Sequence, residues 1–204
     1  MFPAHFQLYT LTKRLNSAMS LRVKYLSKQE TEGFFLSIED PRDKALFGFI
    51  YLYGLRASEA ASLKLLDIDF QKKRIFVRRV KGGISGERPL FKGAETLLRA
   101  YLGVRLETGD GIFTGREGNL SRQRIYQLFK GYAGEAGLDV RYSVHCLRHS
   151  IATHLLEAGE GIEFVRDHLG HRNIQNTMVY AQITDRGREE AFRRVERSSK
   201  IARI

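Results

Sequence analysis

His145-Cys146-Leu147-Arg148-His149-Ser150, then Leu169-Gly170-His171-Arg172, then Tyr180, is the stretch on which the reading of this chain turns. Its spacing predicts three short helices, over 144–158, 162–169 and 175–182, with Ser143 as a cap and Gly159 and Gly170 as stops. Two imidazoles, a guanidinium and a phenol therefore recur in a fixed order on consecutive helices and their ends. A further arginine stands far upstream, in Gly54-Leu55-Arg56-Ala57-Ser58-Glu59.

Working outward, Ser27-Lys28-Gln29-Glu30 has the form of a capping box and opens a helix. Asp40-Pro41 opens a second that runs to Gly54, with Leu46, Phe49, Ile50 and Tyr53 on its core face. Segments 68–70, 74–80 and 88–91 are β-branched or aromatic, and 81–86 between the last two reads as a hairpin turn. Helices over 93–106 and 121–136 follow, the latter capped by Ser121. The fold class expected is mainly α with a small antiparallel three-stranded sheet. Residues 1–26 read as a short basic arm, 27–183 as the main domain, and 184–204 as a charged tail with Ala191, Phe192 and Val195 on one side.

The 204 residues are 43% hydrophobic, ordinary for a globular domain with its own core. No apolar run reaches the length of a membrane span, and the start lacks the pattern of a signal peptide. Lys and Arg number 34 against 23 Asp and Glu, a net +11 that favours a polyanionic partner, nucleic acid before acidic membrane. The single cysteine, Cys146, excludes an intrachain disulfide and reads as a small packing residue. A cytoplasmic location follows as the expectation.

The residue types of the opening stretch suit cleavage of a phosphodiester without a metal. Arginine meets two phosphate oxygens at once and keeps its charge. Imidazoles donate to the remaining oxygens or move a proton. A phenol, with an ordinary pKa of about 10, becomes a nucleophile once cations surround the reaction centre. A zinc reading also arises, because His145 and His149 are four apart and His168 and His171 three apart. Cys146 stands where a zincin helix needs glutamate, so no metal is assigned. Tyr51 and Tyr53 read as packing residues, and His149 and His154 as packing or capping residues. The basic residues Lys72, Lys73, Arg78 and Arg79 read as a hairpin that touches backbone phosphates.

Arg56, His145-x-x-Arg148, Leu169-Gly170-His171 and Tyr180, in that order, resemble the signature of the tyrosine recombinases, the lambda-integrase family. The resemblance covers roughly residues 27–183. It implies that Tyr180 attacks a scissile phosphate, forms a 3′-phosphotyrosyl link and releases a 5′-hydroxyl. It further implies that Arg56 and Arg148 clamp the non-bridging oxygens, His145 exchanges a proton with the tyrosine, and His171 donates to a phosphate oxygen. Lys81 matches the lysine that protonates the leaving 5′-oxygen, and Glu59 an acidic position that orients the site.

The same resemblance implies double-stranded DNA as partner, a homotetramer assembled on it, accessory DNA-bending proteins, association with the nucleoid, and no cofactor. Most relatives carry an extra N-terminal helical domain. Only about 26 residues precede the domain here, so the chain resembles short members such as the fimbrial phase-variation recombinases, or a piece of a longer parent. The tail, by the same token, docks on a neighbouring protomer or folds back on its own domain. Two other functions stay open: DNA relaxation of the type IB topoisomerase kind, and DNA binding by a catalytically silent regulator.

Overall fold

A computed structural model of the chain describes residues 24–80, 82–107, 109–181 and 193. Lys81, the arm over 1–23 and the anchors Phe192 and Val195 lie outside the described residues.

Local chemistry starts the elements where the residue types demand. In α1 (Lys28–Leu36) the Ser27 hydroxyl accepts from the Glu30 N–H at 3.2 Å, and the Glu30 carboxylate accepts from the Ser27 N–H at 2.8 Å. In α2 (Pro41–Leu52) Asp40 caps the Asp43 N–H, and Pro41 holds the first position, where no N–H is needed. A short helix α3 (Ala57–Ala61) and a 3₁₀ turn (Leu65–Asp67) lead into the sheet. Its strands β1 (Ile68–Asp69), β2 (Arg74–Val77) and β3 (Gly86–Pro89) lie antiparallel in sequence order, with Ile75 opposite both Ile68 and Arg88. Then come α4 (Lys92–Leu102), a two-stranded hairpin of β4 (Thr114–Gly115) and β5 (Gly118–Asn119), and α5 (Arg122–Glu135). Helices α6 (His145–Glu157), α7 (Ile162–Leu169) and α8 (Gln175–Ala181) complete the described domain.

The expected class, mainly helical with a three-stranded antiparallel sheet, is what the structure has. Details differ: β2 stops at Val77, short of the expected 80, and α3 and the 3₁₀ turn are additional to the expected elements. Sequence periodicity missed the β4–β5 hairpin, whose strands of two residues are too short to carry an alternation. The third strand starts at Gly86 rather than Arg88, because β2 pairs Val77 with Gly86. Ser143 does not cap α6: Val144 is already in the right-handed helical region, and the Ser143 carbonyl accepts from the Cys146 N–H.

Helix α2 is buried nearly all round, packing on α4 and α6. Phe34, Phe47 and Phe129 meet with ring centroids 5.1–6.1 Å apart, tying α1, α2 and α5 into the main core. Cys146 is buried there as expected. A second, smaller cluster joins Ile151, Ala152 and Leu156 of α6 to Val165 and Leu169 of α7 and Tyr180 of α8. Leu26 enters the core ahead of α1, its N–H bonded to the Ser150 hydroxyl at 2.8 Å. Among the described residues no helix is long and apolar enough to cross a membrane.

Phe129 is 0% exposed and Leu66 is 95% exposed. In urea unfolding Phe129→Ala should cost about 3–5 kcal/mol and Leu66→Ala less than about 0.5 kcal/mol. Equal losses for the two would contradict this placement of the core.

Candidate active site

The chain leaves α2 at Tyr53 and reverses at Gly54, whose φ of +55° favours glycine; a Cβ there would also sit 2.6 Å from Leu169 Cδ2. The turn aims the Gly54 carbonyl inward, where it accepts from Arg148 Nη1 and, at 3.1 Å, from Arg79 Nη1. Arg56 follows at the N-cap of α3, and Glu59 lies one turn on.

Glu59 is 2% exposed and saturated with donors. It accepts from the Arg56 N–H at 3.0 Å, Arg56 Nη1 at 2.6 Å, Arg79 Nη1 at 2.9 Å and the Val80 N–H at 3.2 Å. Arg148 Nη1 lies 3.9 Å away. Burial raises the Glu59 pKa, but the Arg56 N–H and the Arg79 charge outweigh it and hold the carboxyl below its ordinary value.

Arg79 is the first residue that sequence reasoning misplaced. It stands just past β2, buried rather than laid on a surface phosphate, and donates from Nη2 to the carbonyls of Tyr53 at 2.8 Å and His168 at 2.6 Å. Gly170, at φ +67°, lets it pass, since a Cβ there would meet Arg79 Cγ at 2.8 Å. Alternation would have put Arg79 on the face of Val77, but nothing in a run of basic residues tells which one is inside.

Arg148, from the first turns of α6, is 1% exposed. Its Nη2 donates to the Leu169 carbonyl and to His171 Nε2, both at 2.9 Å. Burial, with Arg79 and Arg56 adding repulsion, pulls its pKa down to about 9, so it remains a cation at neutral pH. Three guanidiniums thus converge on one carboxylate among the described residues, an excess of two positive charges.

His171 Nδ1 is 3.0 Å from the Thr177 hydroxyl of α8, which fixes the ring from behind. Tyr180, one turn further, is 2% exposed, and its ring fills the second apolar cluster. Its hydroxyl lies 2.7 Å from Nδ1 of His149, not of His145. Burial pushes Tyr180 up to about 12 against the pull of Arg148 and Arg56. It pushes His149 down to about 3 and His171 down to about 4, helped in both cases by Arg148. His145 opens α6 at the surface, its ring edge-on to that of His149 at 4.7 Å. Between it and Arg56 opens a cavity of about 460 Å³ that Arg122, Gln123 and Tyr126 also line.

Arg56, Glu59, Arg148 and His171 therefore come together as a linked cluster, with Tyr180 beside it on His149 and His145 at its rim, while Lys81 lies outside the described residues. Arg79, His149 and Thr177 join them unannounced. Tyr53 and Tyr51 are packing residues as expected: the Tyr53 hydroxyl bonds the Pro89 carbonyl and the Phe91 N–H, and that of Tyr51 bonds His154. Among the described residues no three His, Cys, Asp or Glu side chains are placed to hold a metal ion.

Helical scaffold, small sheet and arginine–histidine–tyrosine cluster together define a class, and residues 24–186 match the phage integrase family. The chain belongs to that family. It is similar to tyrosine recombinase XerA of Pyrococcus horikoshii, with 33% identity over 177 residues, 85% of this chain and 61% of XerA. It is similar to the type 1 fimbriae regulatory protein FimB of Escherichia coli K12, with 32% identity over 174 residues, 81% of this chain and 87% of FimB. Among solved structures, XerA recombinase superposes with a TM-score of 0.74 at 27% identity, covering 83% of this chain and 64% of that one. The XerH site-specific recombinase, in a post-cleavage complex with its difH substrate, gives 0.70 at 26% identity, covering 83% and 52%.

Glu59→Gln should lower stability by about 3–5 kcal/mol at pH 7, because it leaves buried guanidiniums unpaired. The folded carboxyl titrates below its ordinary 4.5, so its stabilisation is complete above that value and fades as pH falls through the folded pKa. The gap between wild type and Glu59→Gln in urea unfolding should therefore narrow below about pH 4.5. A gap that stays constant down to pH 3 would show that the Glu59 charge does not hold the cluster.

Proposed function

We propose that this chain is the catalytic domain of a site-specific DNA recombinase, which cleaves and rejoins duplex DNA through a 3′-phosphotyrosyl link at Tyr180. The observation that carries the reading is the pair of uncompensated positive charges beside Tyr180. A buried cluster with such an excess is complementary to a phosphate, and more so to the additional charge that phosphate gains as a nucleophile adds.

In this mechanism Arg56, at the cavity, and Arg148, behind it, take the non-bridging oxygens of the scissile phosphate. Glu59 and Arg79 are positioning residues that hold the two arginines in place. With phosphate bound, the Thr177 hydroxyl donates to His171 Nδ1, leaving the proton of His171 on Nε2 for a phosphate oxygen. The Tyr180 oxygen attacks phosphorus, Lys81 protonates the departing 5′-oxygen, and His145 exchanges protons at the mouth of the site. The phosphotyrosyl link conserves the energy of the broken bond, so resealing needs no nucleotide and no resident metal. Four such domains assembled on two duplexes, with DNA-bending proteins where the target requires them, would complete strand exchange.

The test is to incubate the protein with a randomised library of nicked duplexes, in which the freed fragment diffuses away and traps the intermediate. Wild type should yield covalent protein–DNA adducts and Tyr180→Phe none. Arg148→Ala should lower adduct formation by at least about 10²-fold while retaining part of the binding. Undiminished adduct from Tyr180→Phe would remove the nucleophile assignment. Binding without adduct from wild type would instead identify a silent regulator.

A further inference from the structure

We infer that His149, rather than His145, takes the phenolic proton of Tyr180 as the tyrosine bonds to phosphorus; the inference rests on the recombinase reading above.

Geometry carries the assignment. His149 follows Arg148 on α6, and its Nδ1 lies 2.7 Å from the Tyr180 hydroxyl, within the range a general base requires. The two rings are tilted at 46° with centroids 5.6 Å apart, so the contact is made through nitrogen and hydroxyl rather than by face-to-face stacking. The ring of His145 stands against that of His149 at 82°, and it is His149 whose nitrogen meets the tyrosine hydroxyl. Because it is exposed, His145 is the next group on the way to water.

The charges around the pair fit a base that stays neutral until DNA arrives. His145 and Arg148 face His149 from its own helix, His171 from the turn after α7, and Tyr180 from α8. Burial first, and then His145, Arg148 and His171, disfavour an imidazolium in the empty site, so the Nδ1 lone pair is free to accept. A bound phosphate supplies the negative charge that reverses this balance and lets the ring hold a proton. The base is thereby switched on by its substrate.

The step balances. The Tyr180 oxygen–phosphorus bond forms, the phosphorus–5′-oxygen bond breaks, the phenolic proton moves to His149 Nδ1, and the leaving oxygen collects a separate proton from the general acid. On resealing, the 5′-hydroxyl attacks phosphorus and gives its proton to the general acid's deprotonated form, while His149 returns its own proton to the departing phenolate.

The experiment uses a nicked duplex recovered from the library above by covalent capture on wild-type protein, and a copy with sulfur as the bridging 5′-atom. A thiolate leaves without protonation, so sulfur rescues loss of the general acid but not loss of the base. His149→Asn keeps an oxygen able to accept from Tyr180 but cannot carry the proton away. Both His149→Asn and His149→Ala should cleave about 10²-fold or more slowly on either substrate, and His149→Asn should keep the wild-type melting temperature. Their rates should climb tenfold per pH unit as tyrosinate forms, where wild type is flat. Wild-type rates from His149→Asn, or rescue by sulfur, would overturn the inference while leaving the recombinase reading intact. Failure of wild type to form any adduct would defeat that reading first. Independent of any variant, nitrogen NMR of the wild-type protein should find His149 Nδ1 unprotonated and hydrogen-bonded at neutral pH, and a protonated Nδ1 would also overturn the inference.

Discussion

The buried ion pair of Glu59 and Arg79 is the contact on which the other parts of the site depend. Its carboxylate bonds the N-terminus of α3, the Arg56 side chain and the chain just past β2. Its guanidinium bonds the ends of α2 and α7 through the carbonyls of Tyr53, Gly54 and His168. The ends of four separate elements are thus tied together by one charged pair. Such a pair adds little net stability, because desolvation consumes most of the attraction, but it tolerates few alternative geometries. Here that selectivity falls on the residues that face the cavity.

The arginines are also set against stability. Arg148 and Arg79 sit within the same buried space as Arg56, and one carboxylate cannot neutralise all three. The folded protein holds this repulsion in place with carbonyl acceptors at Gly54, Tyr53, His168 and Leu169. A site arranged in advance for an anion avoids reorganising when the anion's charge grows. The cost is carried by the apolar core around α2.

Much of this was legible in the residues alone, wherever the physical cause is local. Ser27 with Glu30, Asp40 with Pro41, and the glycines after Tyr53 and Leu169 each act within one turn of chain, and each starts or stops a helix where the residue types require. The order of Arg56, Arg148, His171 and Tyr180 likewise needed no coordinates. What stayed hidden depends on pairing across long separations. Arg78 and Arg79 are the same residue type side by side, yet Arg78 reaches Asp67 at a partly exposed bridge while Arg79 is swallowed by the site. His149 looks like any helical histidine until α8 docks and brings a hydroxyl to it. Ser143 has the chemistry of a cap, and only the backbone of Val144 denies it that role.

Thr177 and Tyr180 stand three residues apart on one face of α8. One bonds the ring of His171 and the other the ring of His149, so this face is pinned to histidines from two different elements. The setting of α8 therefore governs both contacts at once: a rotation of the helix that carried the phenol away from His149 would release the ring of His171 as well.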